Sequence, residues 1–479
     1  MKNKIWLLIL IACISCSCAN KDNHIKIYPA PEGEELSTAY EVKVEGEKIP
    51  VYQARIAPED DRSRWLAMDD KANSALYHDT ASFAYFDMNG PVKISVSVDS
   101  KIRSAKILPS SLGMVPDING NTISFNLDQP RKLTIEINDD WIHCLHIFAN
   151  PFETDIPEKD DPDVIYFGPG IHEISHLRVS DNKTVYIAGG AVVRAIIDPE
   201  EKYWISSYSG LRGYTPTLEL RGKNIKVRGR GILDATGCTT HARNMINIKG
   251  ENIEVEGIIL RDPSTWTIPI FSAENVTVNN IKILGYRANS DGIDICSSHD
   301  ITVNDCFIRT LDDLVVVKTL NHEGPAGRIL VQDCVLWNEV AHALSIGAEL
   351  TNNVDQVTFR NCDVIHDQGR EWALRIFHSD AATISNIRFE DIRIEESRRF
   401  ISLWLGEAVW SKDQERGNIH DVVFKNIHAS GRSPDIELKG HDREHKISRV
   451  LFENVSFNGN PVSQDNMIIQ GFVEDIEMK

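Results

Sequence analysis

Outside its first 18 residues the chain has no CxxC pair, no apolar run long enough to cross a bilayer, and a deficit of basic residues. Each shortage removes a class of function. The nine cysteines are scattered over 479 residues, and Cys144, Cys238 and Cys296 lack the spacing of a zinc site or a redox motif. Lys and Arg total 51 against 70 Asp and Glu, a formal net charge of -19. That balance repels phosphate, and no basic stretch interleaved with aromatics offsets it, so nucleic acid is not expected as a partner. No metal or other cofactor is expected.

The one early apolar run, Ile5 to Ala12, follows Met1-Lys2-Asn3-Lys4 and is too short to stay in a membrane as a mature helix. With Cys13, Cys16 and Cys18 behind it, the segment 1–18 resembles a bacterial lipoprotein signal, lipidated at Cys16 or Cys18. An ordinary secretory signal is the alternative. Both place the body outside the cytoplasm, in the periplasm, at the outer membrane or cell surface, or secreted, with a lipid anchor as its only tie to the membrane.

What is present is a repeat. An apolar-x-apolar unit, followed two residues on by Gly, Asn or Asp, starts at Ile225, Ile253, Val276, Ile301, Ile329, Val357, Ile387, Val422 and Val450. The spacings run from 23 to 35 residues. They are too irregular for a helical solenoid, and the units are rich in β-branched residues. Such strands cannot bury an apolar face alone, so successive coils must stack about 4.8 Å apart. The expected fold is all-β, a right-handed parallel β-helix over 164–479. Gly229, Gly257, Asn280, Asp305, Asp333, Asn361, Asp391, Asn426 and Asn454 occupy the turn slot, where left-handed backbone is tolerated. Cys306, Cys334 and Cys362 share a slot with Ile258, Ile281, Ile392, Ile427 and Val455, so they read as small apolar fillers of an interior stack.

Before the repeat, 24–150 alternates as half-buried strands, for example Val92 to Val98 and Lys132 to Ile137. This describes an N-terminal β-sandwich, expected to support the second domain or to present substrate. The stretch 151–163, with six acids and three prolines, reads as a linker.

A second strand of each coil carries the apolar pairs Ile293/Ile295, Val315/Val317, Leu344/Ile346 and Leu374/Ile376. Two residues before each pair stand Asp291, Asp313, His342 and Trp372. Inside the pairs stand Asp294, Val316, Ser345 and Arg375. Asp312 adjoins Asp313. Stacking brings Asp291, Asp312, Asp313, His342 and Arg375 toward one groove wall. Carboxylates this close do not all ionise, so one keeps its proton near neutral pH. A proton donor beside carboxylates that activate water is what glycosidic cleavage needs. Asp294 reads as a capping acid, like Asp305, Asp333 and Asp391, and Arg309, Lys318 and Arg370 read as solvated charges, with the binding of an acidic sugar as the alternative.

The order Asn289-Ser290-Asp291, Asp312-Asp313, Ala341-His342-Ala343, Arg375-Ile376-Phe377 resembles glycoside hydrolase family 28, the polygalacturonase family, and its β-helical relatives in dextranase family 49. The family pattern is Asn-Thr-Asp, Asp-Asp, Gly-His-Gly, Arg-Ile-Lys. Val227 to Asp234 and Ser264 to Ile268 are further family-like stretches. The resemblance implies that Asp313 is the general acid, that Asp291 and Asp312 hold and activate water, that His342 tunes the acid, and that the anomeric centre inverts. One coil spacing by itself would equally allow a retaining separation.

The resemblance further implies an uronate clamp, from which Phe377 removes the lysine. The expected substrate is a polysaccharide or its oligosaccharides, branched pectic or neutral, bound by Asn289, Arg375, Trp266, Trp372 and Phe377. Trp337, Trp404 and Trp410 are further candidate platforms. The loops Trp204 to Tyr214 and Val409 to Gly417 are long enough to close one end of the groove. A β-helical polysaccharide lyase, which would use a base and bound calcium, a non-catalytic glycan-binding protein and a structural adhesin are the other readings.

Overall fold

The computed structural model describes residues 24–58 and 78–479; the signal segment with Cys13, Cys16 and Cys18 lies outside them. Two sheets open the described chain, one of six strands and one of five. Alternation such as Val92, Ile94 and Val96 inward against Lys93, Ser95 and Ser97 outward places their shared core between them.

A single 30-stranded array follows, parallel except where Asn460–Pro461 turns back on Ile447–Phe457, in which each strand bonds to the strand three further along the chain through most of its length. Each coil therefore has three faces. The first face carries the repeat in the expected register. Ile225 stacks on Ile253, Ile253 on Val276, Val276 on Ile301, and the series continues unbroken through Ile329, Val357, Ile387 and Val422 to Val450. All nine turn positions have positive φ, from 50° at Asn361 to 131° at Gly229. Side chains at this corner form part of a ladder: Asn361 donates to Asp333 at 2.5 Å, Asn426 to Asp391 at 2.8 Å, and Asn454 to Asn426 at 2.8 Å. Cys306, Cys334 and Cys362 are free thiols in the interior.

The middle face is built of short strands such as Ile259–Arg261, Lys282–Leu284 and Phe307–Thr310, buried on both sides. Their outer side is covered by the sandwich. Phe83, Tyr85 and Phe148 pack there against Ile259, Leu284, Phe307 and Trp337. Buried ion pairs join the two, with Arg230 Nε 3.1 Å from Asp87 and Arg261 Nη1 2.7 Å from Glu34. The third face, the strands Ile268–Phe271, Ile293–Cys296, Val315–Thr319, Leu344–Leu350, Leu374–His378 and Ile401–Leu405, takes no part in that apolar contact among the described residues.

Two expectations are corrected by this packing. Arg309 is fully buried rather than solvated, with Nε 3.0 Å from Glu339 and its guanidinium 3.7 Å from the centre of the Trp337 ring. Trp337 is likewise fully buried at the junction and offers sugar no platform. Among the described residues no helix is long and apolar enough to cross a membrane.

Candidate active site

The third face owes its chemistry to the loops that lead into it from the middle face. Their backbones continue the parallel stack, with Gly292 N–H donating to Asp313 O at 2.8 Å and Leu314 N–H to His342 O at 2.9 Å. A β-carbon at Gly292 would stand 2.3 Å from the Leu314 carbonyl, so glycine is what lets these two coils close. The strands that follow pair Ile293 with Val315, Leu344 and Leu374 in turn. Asp291, Asp313 and His342 are thereby stacked in one column. One oxygen from each of Asp291, Asp312 and Asp313 lies within 4.8 Å of the others.

Burial is the dominant electrostatic fact. It raises Asp291 well above the ordinary carboxylate range, helped by Asp294 and Asp312. It raises Asp313 in the same way, helped by Asp312. Both carry a buried oxygen without a partner among the described residues, Asp291 Oδ1 and Asp313 Oδ1. Asp312 is less buried; it accepts from Asn289 Nδ2 at 3.4 Å and from the Asp313 N–H at 3.1 Å.

His342 is neutral. Its Nδ1 lies 2.8 Å from the Trp372 carbonyl, which only accepts, so the proton sits on Nδ1. Burial and the Arg375 charge push its pKa down to about 3. The free lone pair on Nε2 faces Arg375 Nη1 at 3.4 Å and Asp313 Oδ1 at 4.0 Å. Arg375 in turn pairs with Glu371 at 2.7 Å, and its guanidinium lies 4.2 Å from the centre of the Phe377 ring and 5.0 Å from that of Trp372.

Lys318 is the residue misjudged from sequence. It is 5% exposed, its Nζ lies 3.1 Å from Asp294 and 3.5 Å from Asp291, and these anions hold it protonated despite its burial. Asp294 is no corner cap: it is fully buried beside this ammonium, with its pKa raised to about 6 by burial. The signal was available, because Lys318 is two residues past Val316 on the same outward side and stacks on Cys296. Glu371, in an irregular loop, left no periodic trace. Arg370 is solvated as expected, with 58% of its side chain exposed.

Trp266 is half-buried on the face, and the Lys318 ammonium lies 4.1 Å from its ring centre. Trp372 and Phe377 are half-buried at the other end of the site, and Phe377 meets Trp404 edge-on at 4.8 Å. The assembly brings proton donors, carboxylate acceptors and aromatic faces together on one face of the β-helix. The three clustered oxygens could also ligate a divalent cation, although Lys318 already occupies one side of Asp291.

A family model described as Glycosyl hydrolases family 28 matches residues 214–472. Endopolygalacturonase B of Aspergillus niger is 23% identical over 177 residues, covering 34% of this chain and 45% of that protein. The probable endopolygalacturonase D of Neosartorya fischeri is 34% identical over 185 residues, 36% of each. The chain thus spans less than half the length of these curated relatives. Among solved structures, Dex49A from Penicillium minioluteum superposes with a TM-score of 0.60 at 14% identity, covering 92% of both chains, sandwich and β-helix together.

Proposed function

Since the chain belongs to glycosyl hydrolases family 28, we propose that it hydrolyses glycosidic bonds of a pectin-related or neutral glycan by carboxylate acid and base catalysis outside the cytoplasm. The observation that supports this is the Asp291, Asp312 and Asp313 cluster, with oxygens within 4.8 Å and two of the three acids raised. Asp313, protonated and with an unpartnered oxygen, supplies the proton to the leaving oxygen. One water donating two hydrogen bonds of about 2.8 Å bridges acceptors about 4.5 Å apart, which fits within the 4.8 Å limit on the Asp291 and Asp312 oxygens, so the two can share one attacking water. Inversion is what the family resemblance implies, and proton NMR of the first-formed anomer tests it against retention. Neutral His342 does not ionise near Asp313. It holds Arg375, through Nε2, over the same column.

The uronate-binding expectation weakens here. Arg375 spends its charge on Glu371 and lies under Phe377 where the family pattern has lysine. A branched or neutral sugar fits that side better than plain polygalacturonate. The lipid anchor at Cys16 or Cys18 belongs to the same proposal.

The test is reducing-end release from pectic, rhamnogalacturonan, arabinogalactan and α-glucan substrates, native chain against Asp313→Asn. Loss of the general acid should lower the rate about 10²- to 10⁴-fold. An unsaturated, ultraviolet-absorbing product would instead establish a lyase, and release unaffected by Asp313→Asn would remove Asp313 from its role.

A further inference from the structure

Two loops rooted at opposite edges of the third face meet above it. One rises between strands Ala191–Ala195 and Leu218–Gly229 and contains a small hairpin in which Trp204 pairs with Gly213 and Ile205 with Arg212. Its tip is closed by Ser206 N–H to Leu211 O at 2.9 Å and Gly210 N–H to Ser206 O at 2.8 Å. The other runs from Gly406 to Gly417, between strands Ile401–Leu405 and Asn418–Gly431. Along the third face the coil of Leu218 and the coil of Ile401 are seven steps apart, about 34 Å at about 4.8 Å per step. Nevertheless the rings of Tyr208 and Trp410 lie 5.8 Å apart.

Each loop leans toward the other, and its contacts say how far. The hairpin leans up to the coil of Ile246, where Tyr208 stacks on His241 at 6.3 Å. The second loop leans back down. Asp380 accepts from the Lys412 and Asp413 N–H groups at 2.5 and 2.9 Å, and the Asp413 carboxylate reaches His322, just past the coil of Val315, at 3.2 Å. Tyr208 fixes the crossing beside His241, whose N–H donates to the Ser264 carbonyl at 2.5 Å, at the levels of Ile246 and Ile268 and below the coils of Ile293 and Val315 that carry the acids. This is the side of the acids that holds Trp266, away from the side that holds Trp372 and Phe377.

We infer that the Tyr208–Trp410 contact straps the groove shut on the Trp266 side of the acids, so that the enzyme takes its glycan by one chain end and releases products of uniform short length. The inference rests on the hydrolase reading above and adds its mode of action. A polymer lying along the face enters over Phe377 and Trp404 and cannot continue beneath the strap. Only the terminal part of the chain passes the acids, and Trp266 provides the apolar wall against which a sugar ring stacks.

Two measurements test it. With whichever substrate of the panel is cleaved, the native chain should yield one short product from the earliest times, with little loss of viscosity per bond broken. Trp410→Ala, and a chain in which the hairpin tip Ser206 to Leu211 is replaced by Gly-Gly, should both yield mixed lengths. A ladder of lengths from the native chain, or unchanged product length after tip removal, overturns the inference while leaving the hydrolase reading intact. The second measurement needs no substrate. Amide exchange in 204–213 should quicken about 2- to 10-fold in Trp410→Ala if the ring contact latches the loops. Unchanged exchange overturns the strap by itself, and a native chain that cleaves nothing in the panel overturns the hydrolase reading and the end-on mode with it.

Discussion

Lys318 shows how one side chain sets the working range of a carboxylate cluster. An ammonium within about 4–6 Å favours the ionised form of an acid, commonly by 1–3 pKa units, and Lys318 acts in this sense on Asp291, Asp294 and Asp313 together. Burial acts in the opposite sense and dominates for all three. In the proposed reaction Asp313 must be protonated and Asp291 ionised. The alkaline limb of the rate profile then follows the raised Asp313, and the acidic limb follows the water-holding pair. In Lys318→Met both acids lose a cation, both pKa values rise, and the whole pH–kcat/KM profile should move to higher pH by about one unit or more. A profile that drops in height without moving would mean that Lys318 only holds geometry. The acids and His342 were legible in the sequence because a column repeats; Lys318 fell just beyond the aligned pair, and Glu371 stands in a loop with no period to betray it.

At the scale of the coil, the corner after the first face carries the register. Asn426 has φ of 53°, donates to Asp391 and accepts from Asn454. Left-handed backbone costs a residue with a β-carbon about 1–2 kcal/mol, and Asn tolerates it better than most through local hydrogen bonds. Asn426→Ala should therefore lower stability by about 2 kcal/mol, from the conformation and the two lost ladder bonds. Asn426→Gly should recover the conformational part only. Denaturant midpoints of the three chains should fall in the order Asn, Gly, Ala; equal midpoints for Gly and Ala would show that the ladder alone matters. This corner and the first-face strands were readable because period-two alternation and Asn or Gly recur at fixed offsets. The middle-face strands were not. Runs such as Lys282–Leu284 are short and buried on both sides, so they show no alternation to find.

At the scale of the molecule, that double burial is the mark of the sandwich lying on the β-helix. Each domain was visible from its own pattern, but their contact was not, because it depends on side chains far apart in sequence. Arg230 and Asp87 are 1% and 0% exposed, and the Tyr28 hydroxyl donates to the same carboxylate at 2.7 Å. Removing one partner of such a pair leaves the other charge buried and costs about 3–5 kcal/mol. Asp87→Ala leaves Arg230 inside the junction with Glu256, 3.7 Å away, as its remaining ion pair among the described residues, where Phe83, Phe148, Phe307 and Trp337 supply the apolar contact. Phe307 belongs to the coil of Asp312 and Asp313 and Trp337 to that of His342, and both would face water if the sandwich left. The native chain should therefore unfold in one cooperative transition, and Asp87→Ala should either lower that single midpoint or split it, with the sandwich leaving first and exposed apolar surface detected by dye binding. Two separate transitions in the native chain would mean that the sandwich contributes nothing to holding the coils that carry Asp291, Asp312 and Asp313 in place.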